Sequence, residues 1–233
     1  MTTSEKHADP TKQTDQMAPL PVDAVVFDLG NVLIRWDPAS AVAAAVGAER
    51  AAAFLGNDGF DFASWNLAHD AGRSWDESER EAISAHPHFE EEIRGYRTHF
   101  ADSLLGEIAG TVEILRELHA AQIPVLALTN WSAETFPMAL DRFDFLDLFE
   151  DIIVSGEEGV AKPDPEIFEI LEERISHLGS LDDSVFIDDT LVNVAAAQDA
   201  GLDAIHFTDA EHLRHDLILR GLPLRENRPL DLT

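Results

Sequence analysis

The sequence contains no cysteine and only three lysines among its 233 residues. Without cysteine the chain has no disulfide bonds, no thiolate catalysis and no zinc site of the cysteine type. No apolar run is long enough to span a bilayer. Lys6 and Lys12 lie near the N-terminus, so Lys162 is the one lysine in the rest of the chain.

The scarcity of lysine is part of a large excess of negative charge. The formal net charge is −29 at pH 7, from 45 Asp and Glu against 16 Lys and Arg. Such a surface repels nucleic acids and anionic membranes, so we expect neither as a partner. It also repels a phosphorylated substrate unless the site itself supplies cations. A high-salt cytoplasm would explain this charge, and so would a plain solubility surface, which we favour.

The order of apolar and polar segments predicts an α/β fold. Residues 1–21 are polar, and we expect a disordered tail that is neither a secretory signal nor a membrane anchor. After residue 110, helices alternate with short buried strands, which predicts a Rossmann-like, doubly wound parallel sheet with helices on both faces. The predicted strands are 24–27, 124–129, 152–155, 184–188 and 204–207, and the predicted helices are 111–121, 132–143, 165–177, 191–200 and 210–220.

A block without strand-like alternation follows the first strand. Its predicted helices are 41–55, 60–69, 76–84 and 89–104. We therefore expect an α/β core formed by 22–36 and 106–233, with an inserted all-helical cap domain at 37–105. A lid inserted over the strand ends would exclude water and select substrates.

Polar residues follow the first two core strands. Open α/β sheets bind ligands beyond the carboxyl ends of their strands, where Asp28 follows the first strand. Asp, Gly and Asn are also ordinary turn formers, so this segment is equally compatible with a simple turn. Thr129 and Asn130 end the next strand, where free backbone N–H groups can hold an anion. Asn130 and Ser132 also suit a helix N-cap.

The later strands end in charged residues. Lys162 lies in a proline-flanked loop between a strand and a helix, although it could be an ordinary surface lysine. Asp188 and Asp189 are adjacent acids that would raise each other's pKa unless a cation is present. A hard divalent ion such as Mg²⁺ fits oxygen ligands of this kind. Asp189 or Thr190 could also cap the next helix.

Together these residues predict phosphoryl transfer. Asp28 would attack phosphorus and form an acyl phosphate, which water then hydrolyses. Mg²⁺ held by Asp28 and Asp189 would bridge the nucleophile and the transferring group. Thr129, backbone amides and Lys162 would hold the remaining phosphoryl oxygens.

Four motifs carry a resemblance to a known family. In order along the chain they are VVFDLGNVL, LALTNWS, VAKPDPEIF and VFIDDTLVNVAAA. From about residue 22 to 220 the chain resembles the haloacid dehalogenase-like hydrolases, and within them the small FDLGNV-type phosphatases that act on sugar phosphates. The resemblance implies a fold with a helical cap and a role for each motif residue. These roles are nucleophile (Asp28), phosphate binding (Thr129, Asn130, Lys162), metal ligand (Asp189), backbone-carbonyl metal contact (Gly30), and partial or indirect metal contacts (Asp188, Asn193).

One position departs from the family pattern. The phosphatases usually carry a second Asp two residues after the nucleophile as general acid and base, and this chain has Gly30 there. A positioned acid or base is worth about 10²–10⁴-fold in rate. We therefore expect a slow phosphatase, or one in which water or a cap residue protonates the leaving group. The cap residues that could reach the substrate are Trp65, Asn66, Asp70, Arg73, Arg94, Tyr96 and Arg97.

The resulting prediction is a cytoplasmic, Mg²⁺-dependent phosphatase, monomeric or homodimeric, for a small phosphorylated metabolite such as a sugar phosphate. Two alternatives remain open. Dehalogenases of the superfamily also lack the second Asp, need no metal and attack a carbon that bears a halide. The paired Asp188 and Asp189 argue against this, because an unneutralised acidic pair would repel a carboxylate substrate. A binding or regulatory protein that has lost the chemistry is the third possibility.

Overall fold

The structure is a computed structural model that describes residues 22–56 and 59–226. The tail expected at 1–21 lies outside these residues. Within them, none of the helices is long and apolar enough to cross a membrane. The strands are β1 (Ala24–Phe27), β2 (Ile34–Trp36), β3 (Leu104–Glu107), β4 (Val125–Thr129), β5 (Asp151–Val154), β6 (Ser184–Asp188) and β7 (Asp203–His206). The helices are α1 (Pro38–Val46), α2 (Ala48–Leu55), α3 (Phe62–Asp70), α4 (Trp75–Ala85), α5 (Glu90–Thr98), α6 (Ala109–Ala120), α7 (Pro137–Leu140), α8 (Ser155–Glu158), α9 (Pro165–Ile175), α10 (Leu191–Asp199) and α11 (Ala210–Leu219).

Five parallel strands form the central sheet in the order β5-β4-β1-β6-β7. The residues of β1 are fully buried and alternate between two apolar layers. Val25 and Phe27 pack into the layer that contains residues of α6 and α11. Ala24 and Val26 pack into the layer that contains residues of α9 and α10. Because both faces of the strand are covered, its sequence is uninterrupted apolar, and the predicted α/β fold is confirmed.

The strand order places the polar strand ends side by side. β1 lies between β4 and β6, and the chain adds β5 on one side of it and β7 on the other. Phe27 is in register with Ala127 and with Ile187. The residues that follow these positions therefore emerge together at the carboxyl edge, where the strand order reverses and doubly wound sheets bind ligands.

A helical segment, residues 37–103, connects β2 to β3. These two strands pair antiparallel, with Ile34 opposite Glu107, so the segment leaves and re-enters the core at one place. The predicted helix 41–55 is two helices, α1 and α2, because Gly47 has φ +84° and its N–H closes α1 on the carbonyl of Ala43. The predicted helix 89–104 is α5 followed by a 3₁₀ turn at Phe100–Ser103 and then β3.

The prediction of a helix at 132–143 is wrong for most of its length. Residues 133–136 form turns, and only Pro137–Leu140 is α-helical. Proline favours the first position of a helix because it has no N–H to donate, and α7 begins at Pro137. The preceding turn presents Ser132 and Glu134 to the helical segment.

Candidate active site

A cluster formed by Asp28, Lys162, Asp188 and Asp189 lies at the carboxyl edge of the sheet. The ammonium group of Lys162 is at its centre. Lys162 Nζ is 2.7 Å from Asp188 Oδ2 and 3.1 Å from Asp28 Oδ1, and it donates to the carbonyl of Leu128 at 2.8 Å. An ammonium group has three hydrogens to donate, and these contacts use all of them. The Lys162 side chain is 1% exposed. The alternative that Lys162 is an ordinary surface lysine is therefore excluded.

The loop that carries Lys162 is held by Asn130. Asn130 Oδ1 accepts a hydrogen bond from the backbone N–H of Lys162, and its Nδ2 donates to the backbone carbonyl, both at 2.8 Å. On the far side of the loop, Asp164 accepts a hydrogen bond from the N–H of Glu166 and caps α9. Both ends of the loop are thus fixed, which directs the long lysine side chain into the cluster.

The adjacent acids of the fourth motif have different surroundings. Asp188 is fully buried and accepts hydrogen bonds from the Thr190 N–H at 2.8 Å and from Asn193 Nδ2 at 3.1 Å, in addition to its ion pair with Lys162. Asp189 is only partly buried and faces a cavity. Its side chain accepts a hydrogen bond from the Thr190 hydroxyl at 3.2 Å. Asp189 therefore retains more free acceptor capacity than Asp188.

Burial and mutual repulsion change the protonation of the cluster. Burial raises the pKa of Asp28 to about 7; Lys162 opposes this rise, and the nearby carboxylates Asp188 and Asp189 add to it. Burial also raises the pKa of Asp189, and Asp188 adds to the effect. Burial would lower the pKa of Lys162, but Asp28 and Asp188 outweigh it and hold the pKa above its usual value. The lysine is therefore charged at neutral pH.

The donor set fits a hard divalent cation. Asp28, Asp188 and Asp189 each offer a carboxylate oxygen, and these atoms lie within 4.8 Å of one another. Three carboxylates face one ammonium, which leaves an excess of negative charge that a divalent ion would neutralise. Gly30 lines the same cavity. The residues present thus fit Mg²⁺ with oxygen ligands.

These groups open into a cavity of about 200 Å³. Within the described part of the chain, Lys162 is the one cationic side chain of its wall. Six of the residues predicted for the site line the cavity: Asp28, Gly30, Asn130, Lys162, Asp189 and Asn193. The other two, Thr129 and Asp188, are 1% and 0% exposed and are not part of the wall.

The helical segment supplies much of the opposite wall. Of its seven predicted candidates, Asn66, Asp70 and Tyr96 line the cavity, and the other four do not. The sequence reading missed several wall residues: Asn31, Trp36, Trp75, Phe100, Ser132 and Thr135. Trp36 ends β2 and Trp75 begins α4, and neither position belongs to a recognisable motif. The sequence offers one indication for these two residues, which is that tryptophan is scarce, with only four in the chain.

Polar contacts hold the helical segment against the core. Trp75 Nε1 donates to Ser132 Oγ at 2.9 Å, and the Trp75 N–H donates to Glu134 Oε1 at 3.1 Å. Arg97 on α5 forms an ion pair with Glu134 at 2.7 Å. Ser132 and Glu134 lie in the loop after β4, so these contacts hold the helical segment beside the cluster of Asp28, Lys162, Asp188 and Asp189.

Known proteins match most of this chain in sequence. Residues 22–201 match the model of the haloacid dehalogenase-like hydrolase family. The sesquiterpene phosphatase astK of Aspergillus oryzae is 28% identical over 205 residues, which cover 80% of this chain and 90% of the relative.

Two solved structures share the fold. The magnesium complex of the HAD family enzyme bt-2542 from Bacteroides thetaiotaomicron superposes with a TM-score of 0.66 at 20% identity, over 85% of this chain and 99% of that one. A dehalogenase superposes with a TM-score of 0.57 at 19% identity, over 78% of this chain and 82% of that one. At these identities the likeness concerns the fold alone, and it does not distinguish a phosphatase from a dehalogenase.

Proposed function

Because the chain belongs to the haloacid dehalogenase-like hydrolase family, we propose that it is a Mg²⁺-dependent phosphatase that works through an aspartyl-phosphate intermediate. The observation that carries this proposal is the convergence of Asp28, Lys162 and Asp189 on one cavity, with Asp188 buried behind its wall and paired with Lys162. A dehalogenase would bind a carboxylate substrate, which the Asp188–Asp189 pair would repel.

Asp28 is the proposed nucleophile. It lines the cavity directly after β1, and the sheet fixes its backbone: its N–H donates to the carbonyl of Ile187 at 2.8 Å. Its carboxylate oxygen would attack phosphorus, and the ester oxygen would leave with the bonding electrons. Lys162, in contact with Asp28 Oδ1, would offset the negative charge of the incoming phosphoryl group.

Asp28, Asp189 and the Gly30 carbonyl would hold Mg²⁺, with Asp188 in support. The ion would neutralise charge on the nucleophile and on the phosphoryl oxygens. Asp188 would keep Lys162 in place, since it forms the shorter of the two ion pairs. The proposed division of roles is therefore one acid for chemistry, one for the metal and one for positioning the lysine.

The aromatic wall supports an apolar substrate. Around the small cavity lie five aromatic side chains: Trp36, Trp75, Tyr96, Phe100 and Trp131. The resemblance to FDLGNV-type phosphatases implies a sugar phosphate, and polar wall residues such as Asn31, Ser132 and Thr135 could bind its hydroxyls. The relative from Aspergillus oryzae is a sesquiterpene phosphatase, and a hydrocarbon chain would pack against the five aromatic side chains. We therefore favour a monophosphate of a compact hydrocarbon alcohol, of the isoprenoid kind, over a sugar phosphate.

Phosphate release from p-nitrophenyl phosphate, measured with Mg²⁺ and with EDTA, tests the reaction class, and chloride release from 2-chloropropionate runs beside it. We expect Mg²⁺-dependent phosphate release that Asp28→Asn abolishes. Chloride release without metal would instead make the protein a dehalogenase, and neither activity would favour a binding role. A panel of geranyl phosphate, farnesyl phosphate and glucose 6-phosphate then tests the substrate class, and preference for glucose 6-phosphate would contradict the apolar assignment.

A further inference from the structure

The phosphatase proposed above lacks a general acid on the core side of its cavity, that is, a residue that can protonate the leaving group. Gly30 lines the cavity two residues after the nucleophile, and a Cβ built on it would have no atom within 4 Å. The space that a side chain could fill is therefore open. A leaving alkoxide in this site needs a proton, and none of the core groups already assigned supplies one, since Asp28 attacks and Lys162 is held by two carboxylates and a carbonyl.

We propose that Asp70, the last residue of α3 in the helical segment, is the general acid and base of this enzyme. Asp70 lines the same cavity as Asp28. The cavity is small, so a phosphate ester that reaches Asp28 also faces Asp70. This inference rests on the proposed phosphatase function and adds a catalytic residue to it.

The Asp70 carboxyl group is held from its own helix and interacts with the core. Asn66 Nδ2, one turn earlier on α3, donates to Asp70 Oδ2 at 2.9 Å, and Tyr96 Oη on α5 donates to Asn66 Oδ1 at 2.8 Å. From the core, the backbone N–H of Ser132 interacts with Asp70 and favours its ionised form. Tyr96 and Asn66 line the cavity as well, so this chain of hydrogen bonds runs along its wall. Asp70 is thereby oriented by α3, by α5 and by the loop after β4.

The surroundings of Asp70 suit proton transfer near neutral pH. Burial raises the pKa of Asp70 to about 7; the Ser132 N–H opposes the rise, the charge of Asp28 adds to it, and Lys162 opposes it. Its position at the C-terminus of a helix also disfavours the ionised form. The groups that face it are thus Asp28 and Lys162 from the core and the neutral Tyr96, through Asn66, from α5. General acids and bases work best with a pKa close to the working pH.

The proposed cycle balances. In the first step an Asp28 oxygen bonds to phosphorus, the bond from phosphorus to the ester oxygen breaks, and the Asp70 proton moves to that oxygen to release the alcohol. In the second step Asp70 takes a proton from water as the water oxygen bonds to phosphorus. The bond from phosphorus to Asp28 breaks, its electron pair returns to the carboxylate, and inorganic phosphate leaves with Asp70 protonated again.

Two probes that differ in their leaving group test the role. Benzyl phosphate releases a basic alkoxide that needs a proton, and p-nitrophenyl phosphate releases a stable phenolate that does not. For Asp70→Asn, which keeps the size and an acceptor for Asn66, we expect kcat/KM to fall about 10²–10⁴-fold for benzyl phosphate and less than about tenfold for p-nitrophenyl phosphate. With the latter, the slowed second step should let phosphorylated Asp28 accumulate, seen by mass spectrometry after acid quench. Gly30→Asp in the Asp70→Asn background should restore part of the benzyl phosphate activity.

The outcomes separate the two proposals. An equal loss on both probes, without accumulated phosphoenzyme and without rescue by Gly30→Asp, would make Asp70 a structural residue and leave the phosphatase standing. Absence of phosphate release from either probe in the wild-type protein with Mg²⁺ would overturn the phosphatase and the role of Asp70 with it.

Discussion

Lys162 Nζ and Asp188 Oδ2 lie 2.7 Å apart, with their side chains 1% and 0% exposed. A buried ion pair of this kind is not a large net source of stability, because both charges lose their hydration. Removing one partner alone is much worse, since an uncompensated charge stays behind. Here Asp28 shares the same lysine, so two carboxylates depend on one cation.

We expect Lys162→Met to lower the free energy of unfolding by about 3–5 kcal/mol at pH 7.5. Lys162→Met combined with Asp188→Asn should recover much of this loss, because the buried charge is removed with its partner. Urea denaturation followed by circular dichroism measures both. Arg94→Met is the matched control: Arg94 pairs with Glu90 at 3.0 Å on the surface, where such a pair is worth about 0.3–0.5 kcal/mol. Equal losses for Lys162→Met and Arg94→Met would contradict the central role of the buried pair.

Mg²⁺ should stabilise the folded protein if the three carboxylates bind it. A ligand at one hundred times its Kd adds about 2.7 kcal/mol to the free energy of unfolding. We expect the melting temperature to rise with Mg²⁺ over EDTA in the wild-type protein and to respond much less in Asp28→Asn and Asp189→Asn. Glu113→Gln, an exposed acid on α6, should keep the full response. A response in Asp189→Asn as large as in the wild type would place the metal elsewhere.

The sequence is sufficient to predict the core side of the site, because that side depends on the order of apolar and polar residues along each strand. Buried strands give uninterrupted apolar runs, and parallel strands bring their carboxyl ends to one edge. The sequence alone therefore predicts that Asp28, Lys162, Asp188 and Asp189 lie close together. Thr129 was predicted on the same grounds, yet its side chain is buried away from the cavity wall.

The opposite wall could not be predicted in the same way. Trp75, Asn66 and Asp70 reach the cavity only because helices distant in sequence are fastened to the loop after β4. Helical periodicity identifies the buried face of a helix, but it does not identify which residues at the end of a helix face the strand ends of the core. The same loop explains why the helix predicted at 132–143 is mostly absent. Ser132 and Glu134 accept hydrogen bonds from the helical segment instead of continuing a helix.

The packing of α3 against the core depends on a close backbone approach at Gly72. A Cβ at Gly72, two residues after Asp70, would lie 3.1 Å from Gly159 Cα and 3.4 Å from the Gly156 carbonyl oxygen. Gly159 also has a positive φ, +79°, but a Cβ there would meet no atom within 4 Å.

We expect Gly159→Ala to lower the free energy of unfolding by about 1–2 kcal/mol, because alanine disfavours the left-handed backbone at this position. Gly72 has φ +88°, so Gly72→Ala should lose the same amount and about 1–3 kcal/mol more, because the added methyl group must push two backbones apart. It should also lower kcat by moving Asp70, whereas Gly159→Ala should alter kcat less. Unfolding titrations and steady-state kinetics on both variants measure this. The same stability loss in both would show that the close approach at Gly72 is not important.

His69 gives the fold a defined sensitivity to acid. Its ring stacks on Trp75 with 3.8 Å between centroids and an interplanar angle of 4°, and the residue is 1% exposed. Burial, together with the charges of Arg73 and Arg97, lowers the pKa of His69 to about 4. An unfolded histidine has a pKa of about 6.5. Between these two values the unfolded chain binds a proton that the folded protein does not, so stability falls as the pH is lowered through this window.

His69→Phe keeps an aromatic ring against Trp75 but removes the titrating group. Between pH 7.5 and pH 4, the wild-type protein should lose about 3 kcal/mol of unfolding free energy more than this variant does. His212→Gln provides a control of opposite sign, because Asp209 raises the pKa of the exposed His212 and its loss should weaken the protein slightly at low pH. Urea denaturation at several pH values measures all three proteins. Parallel pH profiles of the unfolding free energy for the wild type and His69→Phe would contradict this prediction. They would mean that His69 takes up its proton as readily against Trp75 in the folded protein as in the unfolded chain.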